Sequence, residues 1–209
     1  KAPLFAVTLC NGSCETRPQT SHYEGAHSCA VVSSLYTGES NCNYGCLGEG
    51  DCAAACEFGG ITMDPVTRLP RIDSNICVAC GSCVKACPRH LIELRKKQES
   101  MIYVACNNKD KGIIARKVCS VACIGCGKCV KTCPEKAISL SDNLAYIDDN
   151  LFYHAKRVST DALPMDTYRN KKQYQGNINP QKGNCNMLKT FRIGGIHPKE
   201  NKLTSQCPV

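Results

Sequence analysis

The chain has 209 residues with 19 cysteines, no Trp and aromatics at only 6% of positions, which excludes a fold built around one large apolar core. Its formal charge is +8, yet no stripe of Lys and Arg interleaved with aromatics marks a nucleic-acid surface. No apolar run reaches the roughly 18 residues needed to cross a bilayer, and no signal peptide opens the chain, so it reads as soluble; its start at Lys1 rather than Met suggests that upstream sequence, including any membrane anchor, was cut away.

In chain order, residues 1–40 form a leading segment with Cys10, Cys14 and Cys29 among Asn11-Gly12 and Glu24-Gly25 turns. These thiols read equally as ligands of a metal centre and as buried or oxidisable cysteines. Residues 41–98 carry the densest pattern, with Cys42, Cys46, Cys52 and Cys56 followed by Cys77-Val-Ala-Cys80-Gly-Ser-Cys83-Val-Lys-Ala-Cys87-Pro88. Thiols so close in sequence make poor disulfides within a group but converge readily on one centre. The C-x2-C-x2-C-x3-C-P spacing is that of a ferredoxin-type [4Fe–4S] site and is far more specific than the lone C-x2-C of a zinc site. Between the groups, Gly60-Ile61-Thr62-Met63-Asp64-Pro65 and Arg71-Ile72 predict two strands about a turn. Leu91 to Leu94 predicts a closing strand, ended by the polar break Arg95-Lys96-Lys97-Gln98.

Residues 101–163 repeat this plan. A shift of 77 lays Cys42, Cys46, Cys52 and Cys56 on Cys119, Cys123, Cys129 and Cys133, and Glu49 on Cys126. The second turn is two residues shorter, and the offset of 75 that follows lands Cys77, Cys80, Cys83 and Cys87 on Phe152, Ala155, Val158 and Ala162. The fourth module therefore lacks every ligand. Residues 164–186 read as linker and residues 187–209 as a tail too short to fold alone. The expected class is α+β: tandem ferredoxin-like [4Fe–4S] modules with short helices and small two-stranded sheets, loop-rich, with an extended C-terminal tail.

In paired modules the cysteine before Pro ligates the neighbouring cluster. One cluster is thus expected on Cys42, Cys46, Cys52 and Cys87, with Cys42 replacing the cysteine missing at Glu49, and a second on Cys56, Cys77, Cys80 and Cys83. Cys123, Cys126 and Cys129 predict a third, whose fourth ligand is Cys119, Cys106 or Cys133. Cys119 is favoured as the counterpart of Cys42, and a [3Fe–4S] core on three thiolates is the competitor. Cys185 and Cys207 read as non-ligands, and none of the 5 histidines has a partner at ligand spacing. No phosphate loop, triad or carboxylate pair points to a catalytic site. Since each core with its thiolates carries about −2, three would bring the chain to about +2, so the basic residues chiefly balance cluster charge; a docking face for an acidic redox partner is the next use of them.

Four stretches carry a closer resemblance: Val7-Thr8-Leu9-Cys10-Asn11-Gly12, Cys42-Asn-Tyr-Gly-Cys46-Leu-Gly-Glu-Gly-Asp-Cys52, Val104-Ala105-Cys106-Asn107-Asn108-Lys109-Asp110-Lys111-Gly112 and Cys119-Ser-Val-Ala-Cys123-Ile-Gly-Cys126. Over residues 4–150 the chain resembles the B subunits of the Rnf complex. The resemblance implies a polyferredoxin arm, peripheral to the inner membrane on its cytoplasmic side, that passes electrons between reduced ferredoxin and NAD with coupled ion translocation. It implies other subunits of a membrane oxidoreductase complex, and ferredoxin or another small redox protein, as partners. The missing fourth run departs from the family pattern, which commonly continues with another cysteine run at the positions of Phe152, Ala155, Val158 and Ala162. Met187 to Leu203 resembles the opening of the C subunit of the same complex, as at a fusion or an artificial junction. A free polyferredoxin carrier and an iron–sulfur redox sensor are the competing functions.

Overall fold

Leu4-Phe-Ala-Val-Thr8, an apolar and β-branched stretch, forms strand β1 (Leu4–Thr8), buried from Phe5 onward. In the computed structural model, which describes residues 3–97 and 102–151 and the backbone of 152 and 168–170, β1 pairs antiparallel with β4 (Ile92–Lys96), Leu4 opposite Lys96 and Thr8 opposite Ile92. The leading segment therefore closes the sheet of the first ferredoxin unit instead of standing apart from residues 41–98. Between these strands come α1 (Cys29–Leu35), α2 (Asp51–Ala54), the hairpin of β2 (Ile61–Met63) and β3 (Pro70–Ile72), and α3 (Ser82–Ala86).

The second copy follows the same order. β5 (Ile102–Val104), α4 (Gly112–Val118) and α5 (Lys128–Thr132) lead into the hairpin of β6 (Ile138–Ser141) and β7 (Leu144–Ile147), then α6 (Asp149–Phe152) and β8 (Tyr168–Asn170). β8 pairs antiparallel with β5, as β4 does with β1. The shorter second turn is a two-residue one with Asp142 and Asn143 both at positive φ, 50° and 60°, the backbone that a tight hairpin needs. The longer first turn is held by Asp64, whose Oδ1 accepts the N–H groups of Val66 and Thr67 at 2.9 Å each.

The two copies pack through β1 and β5. Phe5 and Val7 on one strand meet Tyr103 and Ala105 at the other, while Ala6, on the opposite face of β1, joins Ile61, Ile72 and Ile92 around the cysteines of its own copy. Arg95, expected in a polar break, is instead 3% exposed. Its burial is tolerated because its Nη1 donates to Ile147 O at 3.2 Å and Asp149 Oδ1 at 2.8 Å, and its Nε to Glu93 Oε2 at 3.2 Å. Its guanidinium also lies 4.9 Å from the Tyr146 ring centre. Among the described residues no helix is long and apolar enough to cross a membrane. Ala155, Val158, Ala162, Cys185, Cys207, the tail and the linker apart from Tyr168–Asn170 lie outside them; those three residues, expected as linker, form β8 because their backbone pairs with β5.

Candidate iron–sulfur sites

The cysteines gather around cavities at the ends of the short helices. Cys56, Cys77, Cys80 and Cys83 line one of about 340 Å³ of empty space, floored by Ala6, Ile61 and Leu94. Gly81, with φ of +83°, starts the helix that carries Cys83; a left-handed residue there costs glycine nothing. The Ala6 N–H donates to Cys77 Sγ at 3.4 Å. Cys80 is exposed, and hydrogen bonding with Ser82 holds its thiol below the ordinary value of 9.0.

A second cavity, about 400 Å³, is lined by Cys29, Cys46, Cys52 and Cys87 with Met63, Leu91 and Ile92. Cys29, not Cys42, stands beside the other three. Helix α1 delivers it, and Asp51 anchors that helix: its carboxylate accepts the N–H of Cys29 at 2.8 Å, the N–H of Ala30 at 3.1 Å and the hydroxyl of Ser28 at 3.0 Å. Burial pushes the Asp51 carboxyl up, but these bonds outweigh it and hold it below 3.8. Glu49, where a regular run has a cysteine, turns away to Arg68 Nη2 at 2.7 Å and His27 Nδ1 at 2.9 Å. The Leu91 N–H donates to Cys87 Sγ at 3.4 Å.

Cys42 lines a third cavity, about 300 Å³, with Cys10, Cys106 and Cys119. This arrangement separates Cys119 from the run it was expected to complete. In that run Cys126 is exposed, while Cys129 and Cys133 are buried with Ile138, Ala145 and Ile147, and Cys123 packs against them. Cys14 lines none of the three cavities.

Burial raises the thiol pKa of Cys29, Cys46, Cys83 and Cys119, and pushes Cys52 and Cys106 up to about 12. Thiolates in these cavities therefore need a cationic centre to share their charge. Among the described residues no group of three or more His, Cys, Asp or Glu is tight enough for one metal ion. Thiols that surround a space, instead of converging on a point, fit a polynuclear core and not zinc, whose four thiolates would sit about 3.8 Å apart. When bound, such a core supplies a one-electron couple; the residues here hold it, shield it from water and donate N–H groups to its thiolates.

Matches to the family described as a 4Fe-4S dicluster domain cover residues 40–91 and 76–138. The chain therefore carries 4Fe-4S ferredoxin domains with small helices and two-stranded sheets. It is 44% identical over 143 residues to the B subunit of the Na(+)-translocating ferredoxin:NAD(+) oxidoreductase complex of Acetobacterium woodii, covering 68% of this chain and 42% of the relative. It is 43% identical over 149 residues to the B subunit of the proton-translocating ferredoxin:NAD(+) oxidoreductase complex of Clostridium ljungdahlii, covering 71% and 52%. Against the B subunit of the ion-translocating oxidoreductase complex of Methanosarcina acetivorans it is 37% identical over 144 residues, covering 69% and 54%. The chain spans about half the length of the curated relatives it matches. Sequence reasoning left Cys29 unassigned because it lies outside the runs; Asp51, twenty-odd residues away, holds it in place.

Proposed function

We propose that this chain, a homologue over 68–71% of its length of B subunits of ion-translocating ferredoxin:NAD oxidoreductases of the Rnf type, relays electrons within such a complex. It takes them from ferredoxin or another small redox protein, works at the cytoplasmic face, and passes them to other subunits, where NAD chemistry takes place. Cys29, Cys46, Cys52 and Cys87 hold one [4Fe–4S] core and Cys56, Cys77, Cys80 and Cys83 a second. Cys123, Cys126 and Cys129 hold a third core as a three-thiolate [3Fe–4S] centre.

The observation that carries this reading is exposure. Among the described free cysteines, Cys80 and Cys126 are the exposed ones, one in each copy, and the remainder are buried or half-buried. Phe58 and Val78, 50% and 57% exposed, flank the cavity of Cys80, and Ile124 is 36% exposed two residues before Cys126. A core edge reaching the surface beside apolar side chains suits brief contact with a redox partner, whereas buried cores conduct between the ends.

Stopped-flow mixing of the anaerobically reconstituted chain with reduced ferredoxin tests it. Rapid bleaching of the cluster absorbance, slowed by Val78→Glu while dithionite reduction is unchanged, is the expected result. Clusters that dithionite reduces but ferredoxin does not would overturn the ferredoxin step.

A further inference from the structure

We propose that Cys10, Cys42, Cys106 and Cys119 hold a further [4Fe–4S] cluster, one that no regular cysteine run encodes, at the junction of the two ferredoxin units. The four thiols line one cavity, all four are free, and Cys10, Cys42 and Cys119 are 7%, 5% and 7% exposed. The empty space among its lining atoms, open solvent included, is about 300 Å³, close to the corresponding 340 and 400 Å³ at the two sites that hold the run cysteines.

The ligands come as two related pairs. Cys10 stands two residues after strand β1 and Cys106 two after β5; Cys42 stands four residues before Cys46 and Cys119 four before Cys123. Each copy thus contributes its strand-exit cysteine and its pre-run cysteine. The offset between copies is 96 at the first pair and 77 at the second, so the first copy carries 19 extra residues, which include α1 and Cys29. Neither dicluster match reaches Cys10.

The surroundings are those of thiolates and not of apolar thiols. Cys10 Sγ accepts the Cys46 N–H at 3.5 Å, and Cys106 Sγ accepts those of Asn108 at 3.5 Å and Cys123 at 3.3 Å. Asn108, only 1% exposed, directs its Nδ2 to Cys42 Sγ at 3.6 Å. Arg17 lines the cavity, its Nη2 donating to Cys46 O at 2.7 Å while its buried Nε has no acceptor among the described residues. Gly45 makes room for it, since a Cβ there would fall on Arg17 Nη1. Arg89 adds a second cation, donating to Cys42 O at 3.1 Å and Gly45 O at 3.0 Å. Two guanidinium groups oppose the roughly −2 charge of a thiolate-bound core. Because Cys46 and Cys123 belong to the flanking sites and also donate to this one, the site bridges the two copies.

The test is iron, sulfide and zinc analysis with EPR on the reconstituted full chain, and it is independent of any partner. Cys10→Ser and Cys106→Ser should each lose roughly four iron and four sulfide per chain, and the double variant should lose no more than either alone. Unchanged iron, additive losses, or about one zinc in place of the iron would overturn the proposal. If either cysteine variant fails to fold, Asn108→Ala decides, because it keeps all four thiols: one EPR signal should shift in midpoint potential, and an unshifted set of signals would overturn the assignment.

Discussion

The Asp51 carboxylate accepts the backbone N–H of Cys29 at 2.8 Å, so a residue in the first turn of α2 fixes the start of α1. Ser28, at the N-cap itself, makes no side-chain cap bond; its hydroxyl goes to Asp51 instead. Asp51→Ala should lower stability by about 1 kcal/mol, the usual worth of a lost helix cap, and should speed iron release from one centre, read by chelator trapping. The folded pKa of Asp51 is depressed, so its contribution is full above the ordinary 3.8 and lost as pH falls through the lower folded value. Thermal melts at pH 5 and pH 7 should therefore show the same difference between Asp51→Ala and the parent chain.

Cys29 and Cys42 should report on different centres. With Cys29 beside Cys46, Cys52 and Cys87, Cys29→Ser should alter the same EPR signal as Cys52→Ser. Cys42→Ser should leave that signal intact and change another. Identical effects of the two substitutions would return Cys42 to the first run.

Arg95 joins the copies through a buried ion pair with Asp149 and a bond to Ile147 O. Removing one partner strands the other, so Arg95→Ala should destabilise the chain by about 3 kcal/mol in urea unfolding. Arg95→Lys should recover only part of this, because one ammonium cannot reproduce the forked contacts.

Backbone conformation in the cysteine loops gives an opposed pair of outcomes. Ala79 has φ of +58° and Gly125, which holds the same place after Cys123 as Ala79 does after Cys77, +62°. Ala79→Gly relieves about 1–2 kcal/mol of left-handed strain against roughly 0.4–1 kcal/mol of unfolded-state entropy, so its melting temperature should hold or rise slightly. Gly125→Ala should destabilise by more than about 1 kcal/mol, since a Cβ there would also lie 2.6 Å from Asn143 O.

Loss of the clusters should unfold the chain. The buried residues around the first two sites are Cys52 and Cys83 with Ala6, Ile61, Ile72 and Ile92, too few aliphatic groups to hold strands of three to five residues together. Ferricyanide with chelator should abolish the cooperative transition in circular dichroism, and anaerobic iron and sulfide should restore it.

The repeat, the hairpins and the cysteine runs were legible from residue order, because turn chemistry and C-x2-C-x2-C-x3-C-P spacing act within a dozen residues. The partner of β4 was not: β1 lies over eighty residues upstream. Nor was Arg95, whose charge reads as solvated until its acceptors on the second copy are known.

Residue order alone pointed to an α+β iron–sulfur protein with two copies of one plan, since a cluster-binding loop wraps its core with neighbours in sequence; it also predicted a fourth module without ligands, most of which lies outside the described residues. Which cysteines outside the runs share a cavity was decided by tertiary structure. Cys29 reaches its site through a helix held by Asp51, and Cys10, Cys42, Cys106 and Cys119 come together only when β1 packs on β5. Those meetings depend on how two units dock, and no local spacing encodes that.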